Sequence, residues 1–244
     1  MATNKSASYE ARLKNSRDLA FKISQYSRYQ PTSEEIKKEN LPGFIENVET
    51  AMTDFRNSIG ALSTERKENN LLFSEMVLSA RNIRSEIGEL KGTDSIQYEQ
   101  VNSIVKLITG ENISLHNMRK KENIKILKEG EPVPENSSVS QLDQKSMLGN
   151  YRALTGLLRS FTFYVPEDES LRIASLETLE AKLTGSLDRI TQKEAAYTNQ
   201  RSRIISYFDE KNGLLDRAKR AKMHVRRKYG HKSPEYKALV NKKY

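Results

Sequence analysis

The chain has 244 residues, of which 36% are hydrophobic and 30% charged, with no cysteine and a net charge of +9. The lack of cysteine excludes disulfides, thiolate metal sites and cysteine nucleophiles. The low apolar fraction suits helical bundles, which expose much surface per buried residue. The charge is local: residues 1–200 hold 27 Lys+Arg against 28 Asp+Glu, and residues 201–244 hold 14 against 4. A near-neutral body therefore ends in a basic block, which points to an acidic partner more sharply than a diffuse excess would.

The first residues, MATNKSASYEARLKNSRD, contain no apolar core of a secretory signal, and no run reaches the eighteen or so apolar residues that span a bilayer. These features predict a cytoplasmic protein. A first helix over Tyr9–Tyr29 would bury Leu13, Leu19, Phe21, Ile23 and Tyr26. Pro31 ends it, because proline lacks an N–H and biases its predecessor away from the helical region. Thr32 and Glu35 have the spacing of a capping box for the next helix. In that helix Leu41, Phe44, Val48, Met52, Phe55, Ile59 and Leu62 step by three or four and form one stripe. Pro42-Gly43 marks either a kink or its true start, and between Gly60 and Asn70 the chain either turns or continues. Leu72, Met76, Val77, Ala80, Ile83, Ile87 and Leu90 form a third stripe closed by Gly92, after which Ser95 caps a short helix to about Leu107.

Residues 111–148 read as a linker. Arg119, Lys120 and Lys121 precede the Pro-, Ser- and Glu-rich stretch Glu129–Ser138, and a β-hairpin around Ile124–Val133 is compatible with the pattern. Beyond it the chain repeats itself. At a shift of 135, Tyr29, Pro31, Ile36, Leu41 and Val48 meet Tyr164, Pro166, Leu171, Leu176 and Leu183. At a shift of 138, Gly92, Ser95 and Tyr98 meet Gly230, Ser233 and Tyr236. Apolar stripes align loosely in any two amphipathic helices, but Tyr-x-Pro and Gly-x-x-Ser-x-x-Tyr in the same order do not arise that way. Residues 1–110 and 149–244 are therefore read as two copies of one helical unit, each completing the other's thin core.

Tyr164-x-Pro-x-x-Glu-x-Leu, Arg201 and Tyr207, Asn212-Gly213-Leu214 and Gly230-x-x-Ser-Pro-Glu-Tyr-Lys together resemble a group of duplicated helical bacterial proteins. The resemblance covers mainly residues 164–244. It implies the fold and the duplication, and no activity.

Catalytic signatures are missing. His116, His224 and His231 have Ile113, Ala221 and Lys228 three residues before them, so no Glu-x-x-His metal pair exists. Neither a phosphate-binding glycine loop nor a G-x-S-x-G elbow occurs. Glu34/Glu35 and Glu167/Asp168/Glu169 fall at expected helix starts, where they complement the macrodipole. No cofactor or metal is expected, and a helical-bundle enzyme has no supporting motif.

The basic block carries the functional expectation. On a helix from Leu214 to Tyr229, Leu214, Leu215, Ala218, Ala221, Val225 and Tyr229 face inward. Arg217, Lys219, Arg220, Lys222, Arg226, Arg227 and Lys228 cover the rest, and Lys232, Lys237, Lys242 and Lys243 follow. Gly230 ends that helix, and Ser233-Pro234-Glu235 starts another. The reading is an all-α, two-repeat, elongated antiparallel helical bundle. It is a non-catalytic scaffold or assembly protein that docks an acidic protein or macromolecular assembly through those cations. A nucleic-acid-binding accessory protein is the alternative, and anionic lipid or a merely solvated face stays open. A homo-oligomer is compatible with the pattern.

Overall fold

A computed structural model describes residues 4–111 and 143–240. The hairpin expected around Ile124–Val133, most of the 111–148 linker, His116, Lys242 and Lys243 lie outside the described residues. Among those described, every regular element is helical. In order they are α1 (Asn4–Ser24), a 3-10 turn (Glu34–Ile36), α2 (Asn40–Lys91), α3 (Ile96–Thr109), α4 (Gln144–Arg159), a second 3-10 turn (Glu169–Leu171), α5 (Ile173–Asp209), α6 (Leu214–Tyr229) and α7 (Pro234–Val240).

Several boundaries differ from those expected. Helix α1 stops at Ser24, well before Pro31, because other groups take its last carbonyls. The Ser24 hydroxyl donates to Phe21 O at 2.7 Å and Lys38 Nζ donates to Ser24 O at 3.3 Å. The capping box at Thr32 and Glu35 does not form; Ser33 precedes the 3-10 turn, and Glu35 turns instead toward Ser33 and Arg220. Helix α2 begins at Asn40, so Pro42 sits in its first turn, where its missing N–H costs nothing. It then runs unbroken through Gly60–Asn70. The second half breaks just past the corresponding stretch, with Asn212 at φ 65° between α5 and α6. Gly213 is required there, since a Cβ would stand 2.8 Å from Glu210 O.

The chain forms two compact units, one of residues 1–63 with 192–244 and the other of residues 64–191. These units are drawn across the two sequence halves: each takes helices from both sides of the linker. The first unit closes around Leu19, Ile23, Leu41, Val48, Phe208, Leu214, Ala221 and Val225. Its segments of α2 and α5 are tied by Phe44 on Tyr207 (5.7 Å between centroids), Phe55 on Tyr197 (5.6 Å) and Arg203 to Asp54 (3.0 Å). The second unit closes around Met76, Ile83, Ile87, Val105, Tyr151, Leu154, Leu158 and Leu183. Several buried polar groups inside it are paired: Ser186 Oγ donates to Asn69 Oδ1 (3.0 Å), Asn69 Nδ2 to Gln144 Oε1 (2.8 Å), and Arg189 Nε to Glu65 Oε1 (2.7 Å).

The stripes largely hold. Leu41, Val48, Met52 and Leu62 are buried, as are Met76, Ala80, Ile83 and Ile87. Three members do not go in: Phe21 is 64% exposed, Ile59 44%, and Leu90 43%. Phe21 falls between Leu19 and Ile23, which α6 and the first part of α2 cover, and so points away from both.

The two Tyr-x-Pro segments make the same hydrogen bonds 135 residues apart. Tyr29 Oη donates to Ile36 O at 2.8 Å, and Tyr164 Oη to Leu171 O at 2.8 Å. Lys37 N reaches Glu34 O at 3.2 Å, and Arg172 N reaches Glu169 O at 3.2 Å. Asn40 Nδ2 donates to Glu34 O at 2.9 Å, and Ser175 Oγ to Glu169 O at 2.7 Å. In both, a tyrosine hydroxyl plugs a carbonyl left over by a short turn, and burial pushes both phenols well above their ordinary pKa.

Candidate interaction surface

Helix α6 lies in the first unit with one face inward. Leu214, Ala218, Ala221 and Val225 are buried, and Leu215 and Tyr229 pack at the margin. That is the face expected from the 3.6-residue period. Because the inner face is small and apolar, the cations are distributed over the flanks and the outer face, and the structure divides them into two kinds.

Arg217 and Arg220 are structural ties. Arg217 Nε donates to Asn212 O at 2.7 Å, its Nη1 donates to Glu35 O at 2.8 Å, and its guanidinium lies 3.7 Å over the Phe44 ring. Arg220 Nη1 donates to Asn212 Oδ1 at 2.9 Å, and its Nη2 reaches Glu35 Oε2 at 3.1 Å and the Ser33 hydroxyl. Together they pin the α5–α6 break to the 3-10 turn. The Ser33 hydroxyl and Arg220 hold the Glu35 carboxyl down at about 2, and burial lowers the Arg217 pKa from its ordinary value.

Lys219, Arg226, Lys228, Lys232 and Lys237 are of the second kind: exposed, with no ion pair among the described residues. Arg227 is exposed as well and touches His224 Nδ1 at 3.4 Å. Lys222 is half-buried, and desolvation lowers its pKa. The outer cations thus run along α6, the turn after it and α7, while Lys242 and Lys243 are not placed.

His224 was not foreseen as a core residue. It is buried, its ring meets Tyr29 edge-on at 5.0 Å, and its Nε2 has no hydrogen-bond partner. Burial first, then Arg227 and Lys228, lower its pKa. The clue in the sequence was its register: His224 stands three residues after Ala221 and next to Val225, on the inner side of the helix.

Among the described residues no three His, Asp or Glu side chains gather at one point, and no helix is long and apolar enough to cross a membrane. A shallow groove between α1 and α2 is lined by Glu10, Leu13, Lys14, Arg17, Glu49, Met52 and Arg56, and the ion pairs Arg17–Glu49 and Arg56–Glu10 cross it. No family model matches the chain, and neither a curated protein nor a solved structure shows significant similarity to it.

Proposed function

We propose that the protein is a non-catalytic helical scaffold, built from two copies of one helical unit, whose outer α6–α7 cations dock an acidic partner. The observation that supports the docking role most directly is the division of the cations. Arg217 and Arg220 are used by the fold, whereas Lys219, Arg226, Lys228, Lys232 and Lys237 have no structural partner among the described residues. Five such cations spread over α6, the turn after it and α7 repel one another and oppose folding slightly, so a binding role accounts for them better than stability does. The duplication is supported by the matched hydrogen bonds of the two Tyr-x-Pro segments. Packing of first-half helices on second-half helices in both units fits copies that complete each other's cores.

The test compares the wild-type chain with the fourfold variant K219E/R226E/K228E/K232E. Binding to polyglutamate, to unrelated duplex DNA and to unrelated RNA is measured across a salt series. Binding to polyglutamate that weakens steeply with salt and is lost in the variant, with unchanged thermal unfolding, is the expected result. Binding to the nucleic acids alone would move the reading to a nucleic-acid accessory protein. No binding to any of the three at low salt would overturn the docking role.

A further inference from the structure

The turn that carries the cations has a twin. Helix α2 ends at Lys91, Gly92 takes φ 84°, and α3 starts at Ile96; helix α6 ends at Tyr229, Gly230 takes φ 95°, and α7 starts at Pro234. Three hydrogen bonds match, and Ser95 Oγ in addition donates to Gly92 O at 2.8 Å. Ser95 N donates to Gly92 O at 3.3 Å, and Ser233 N to Gly230 O at 3.3 Å. Ser95 Oγ accepts from Tyr98 N at 3.2 Å, and Ser233 Oγ accepts from Tyr236 N at 3.1 Å. Glu99 N donates to Ser95 O at 3.1 Å, and Lys237 N to Ser233 O at 3.1 Å. The two corners therefore share one backbone geometry, and a side chain at residue n of the first has its counterpart at n + 138 of the second.

At those counterparts the charge is inverted. Glu89 stands where Arg227 does, Asp94 where Lys232 does, and Glu99 where Lys237 does. All six are exposed. Glu89, Asp94 and Glu99 make no ion pair among the described residues, and the nearest cation in sequence, Lys91, is drawn off to lie 4.1 Å over the Phe163 ring. The inversion extends to whole units: residues 64–191 hold 17 Lys+Arg against 19 Asp+Glu, and the remainder holds 24 against 13. Each corner also exposes apolar side chains beside its charges, Leu90 and 71%-exposed Ile96 at the acidic one, 61%-exposed Met223 and Val240 at the basic one.

We infer that the acidic partner of the α6–α7 corner is the α2–α3 corner of a second copy of this chain. The inference rests on the docking role proposed above and names its partner. Glu89, Asp94, Glu99 and the apolar Ile96 and Leu90 receive Arg227, Lys232, Lys237 and the apolar Met223 and Val240. Two acidic corners repel each other, as do two basic ones, so each contact joins unlike corners.

Sedimentation velocity of the full chain over a concentration series provides the test, at about 0.01 M and about 1 M salt, where screening lengths are roughly 30 Å and 3 Å. The expected result is association that grows with concentration at low salt and disappears at high salt. Two charge-swapped variants then test the pairing. K232E/K237E has two acidic corners and D94K/E99K has two basic ones, so each alone associates at least roughly tenfold more weakly than wild type, and an equimolar mixture recovers association. A wild-type chain that stays monomeric at low salt would overturn the inference whatever the variants do. So would variants that associate alone as well as wild type, or a mixture that does not recover. If the chain is monomeric yet binds polyglutamate, the docking role survives and only the self-association fails. If it does neither, both fail.

Discussion

The two corners show how much of a local structure is set by a few residues and how little by the rest. Gly92 and Gly230 both adopt the left-handed region, Ser95 and Ser233 both cap the next helix, and Tyr98 and Tyr236 both turn back toward their cores. Yet residues between and around them change from Glu and Asp to Lys and Arg while the backbone bonds of the turn and the serine caps persist. Glycine, serine and tyrosine decide the turn; the exposed charges are free to vary, and at the two corners they carry opposite signs.

The same comparison applies to the cores, and there the expected effects are largest. Val48 and Leu183 occupy equivalent places and are fully buried, one in each compact unit. Val48→Asp and Leu183→Asp each put a carboxylate into an apolar interior and should cost at least about 3 kcal/mol. Urea unfolding followed by circular dichroism measures this. Near-neutral results for both would refute the assigned stripes. A large effect at only one would show that the two units do not depend equally on their cores.

A smaller effect separates the two Tyr-x-Pro segments. Tyr29→Phe and Tyr164→Phe each remove a buried hydroxyl and leave the carbonyl of Ile36 or Leu171 without its partner. Each should destabilise by about 1–3 kcal/mol, with the two values within about 1 kcal/mol of each other if the segments are energetically as well as geometrically alike. Denaturant midpoints of the two variants, compared at constant slope, give the answer, and a twofold or larger disparity would break the equivalence. Below that come the caps. Ser95→Ala and Ser233→Ala each lose one side-chain acceptor at a helix start and should each cost about 1 kcal/mol. A negligible cost at Ser233 alone would show that the basic corner holds its turn by other means.

Much of this was legible in the sequence for a physical reason: local devices act over three or four residues. The α6 inner face, the Gly230 cap, the Ser95 and Ser233 starts and the break at Asn212-Gly213 all rest on such short spacings. What was not legible depends on partners far away in the chain. Arg217 and Arg220 look like any other members of the basic run, and only their contacts to Glu35, 182 and 185 residues distant, show them to be ties. Glu35 itself looked like half of a capping box until Arg220 claimed it. Phe21 and Ile59 were placed inside by periodicity alone, and which neighbours cover a helix face is again a long-range matter. The inverted charges at Asp94 and Lys232 were in plain view, but they carry meaning only once the two turns are known to be superposable.

His224 provides the smallest effect and the one that most sharply distinguishes the two units. Its counterpart at the other corner is Glu86, half-buried, so only the first unit encloses an imidazole. The groups facing it are the Tyr29 ring edge, Arg227 and Lys228, none of which stabilises a proton on the ring. Its pKa in the fold therefore lies below the value of about 6.5 that it takes in the unfolded chain. The unfolded state binds the proton more readily, so stability is complete above pH 6.5 and falls as the pH drops through the folded pKa. Carboxylates such as Glu35, held down at about 2, and Glu49 and Asp143, also lowered by hydrogen bonds, lose their stabilising effect only at more acidic pH. Thermal unfolding between pH 7 and pH 5 should then show a decline in wild type that His224→Leu abolishes and that substitution of exposed His231 leaves in place. A decline that persists in His224→Leu would assign the titration to another group and remove His224 from the list of features that set the basic unit apart.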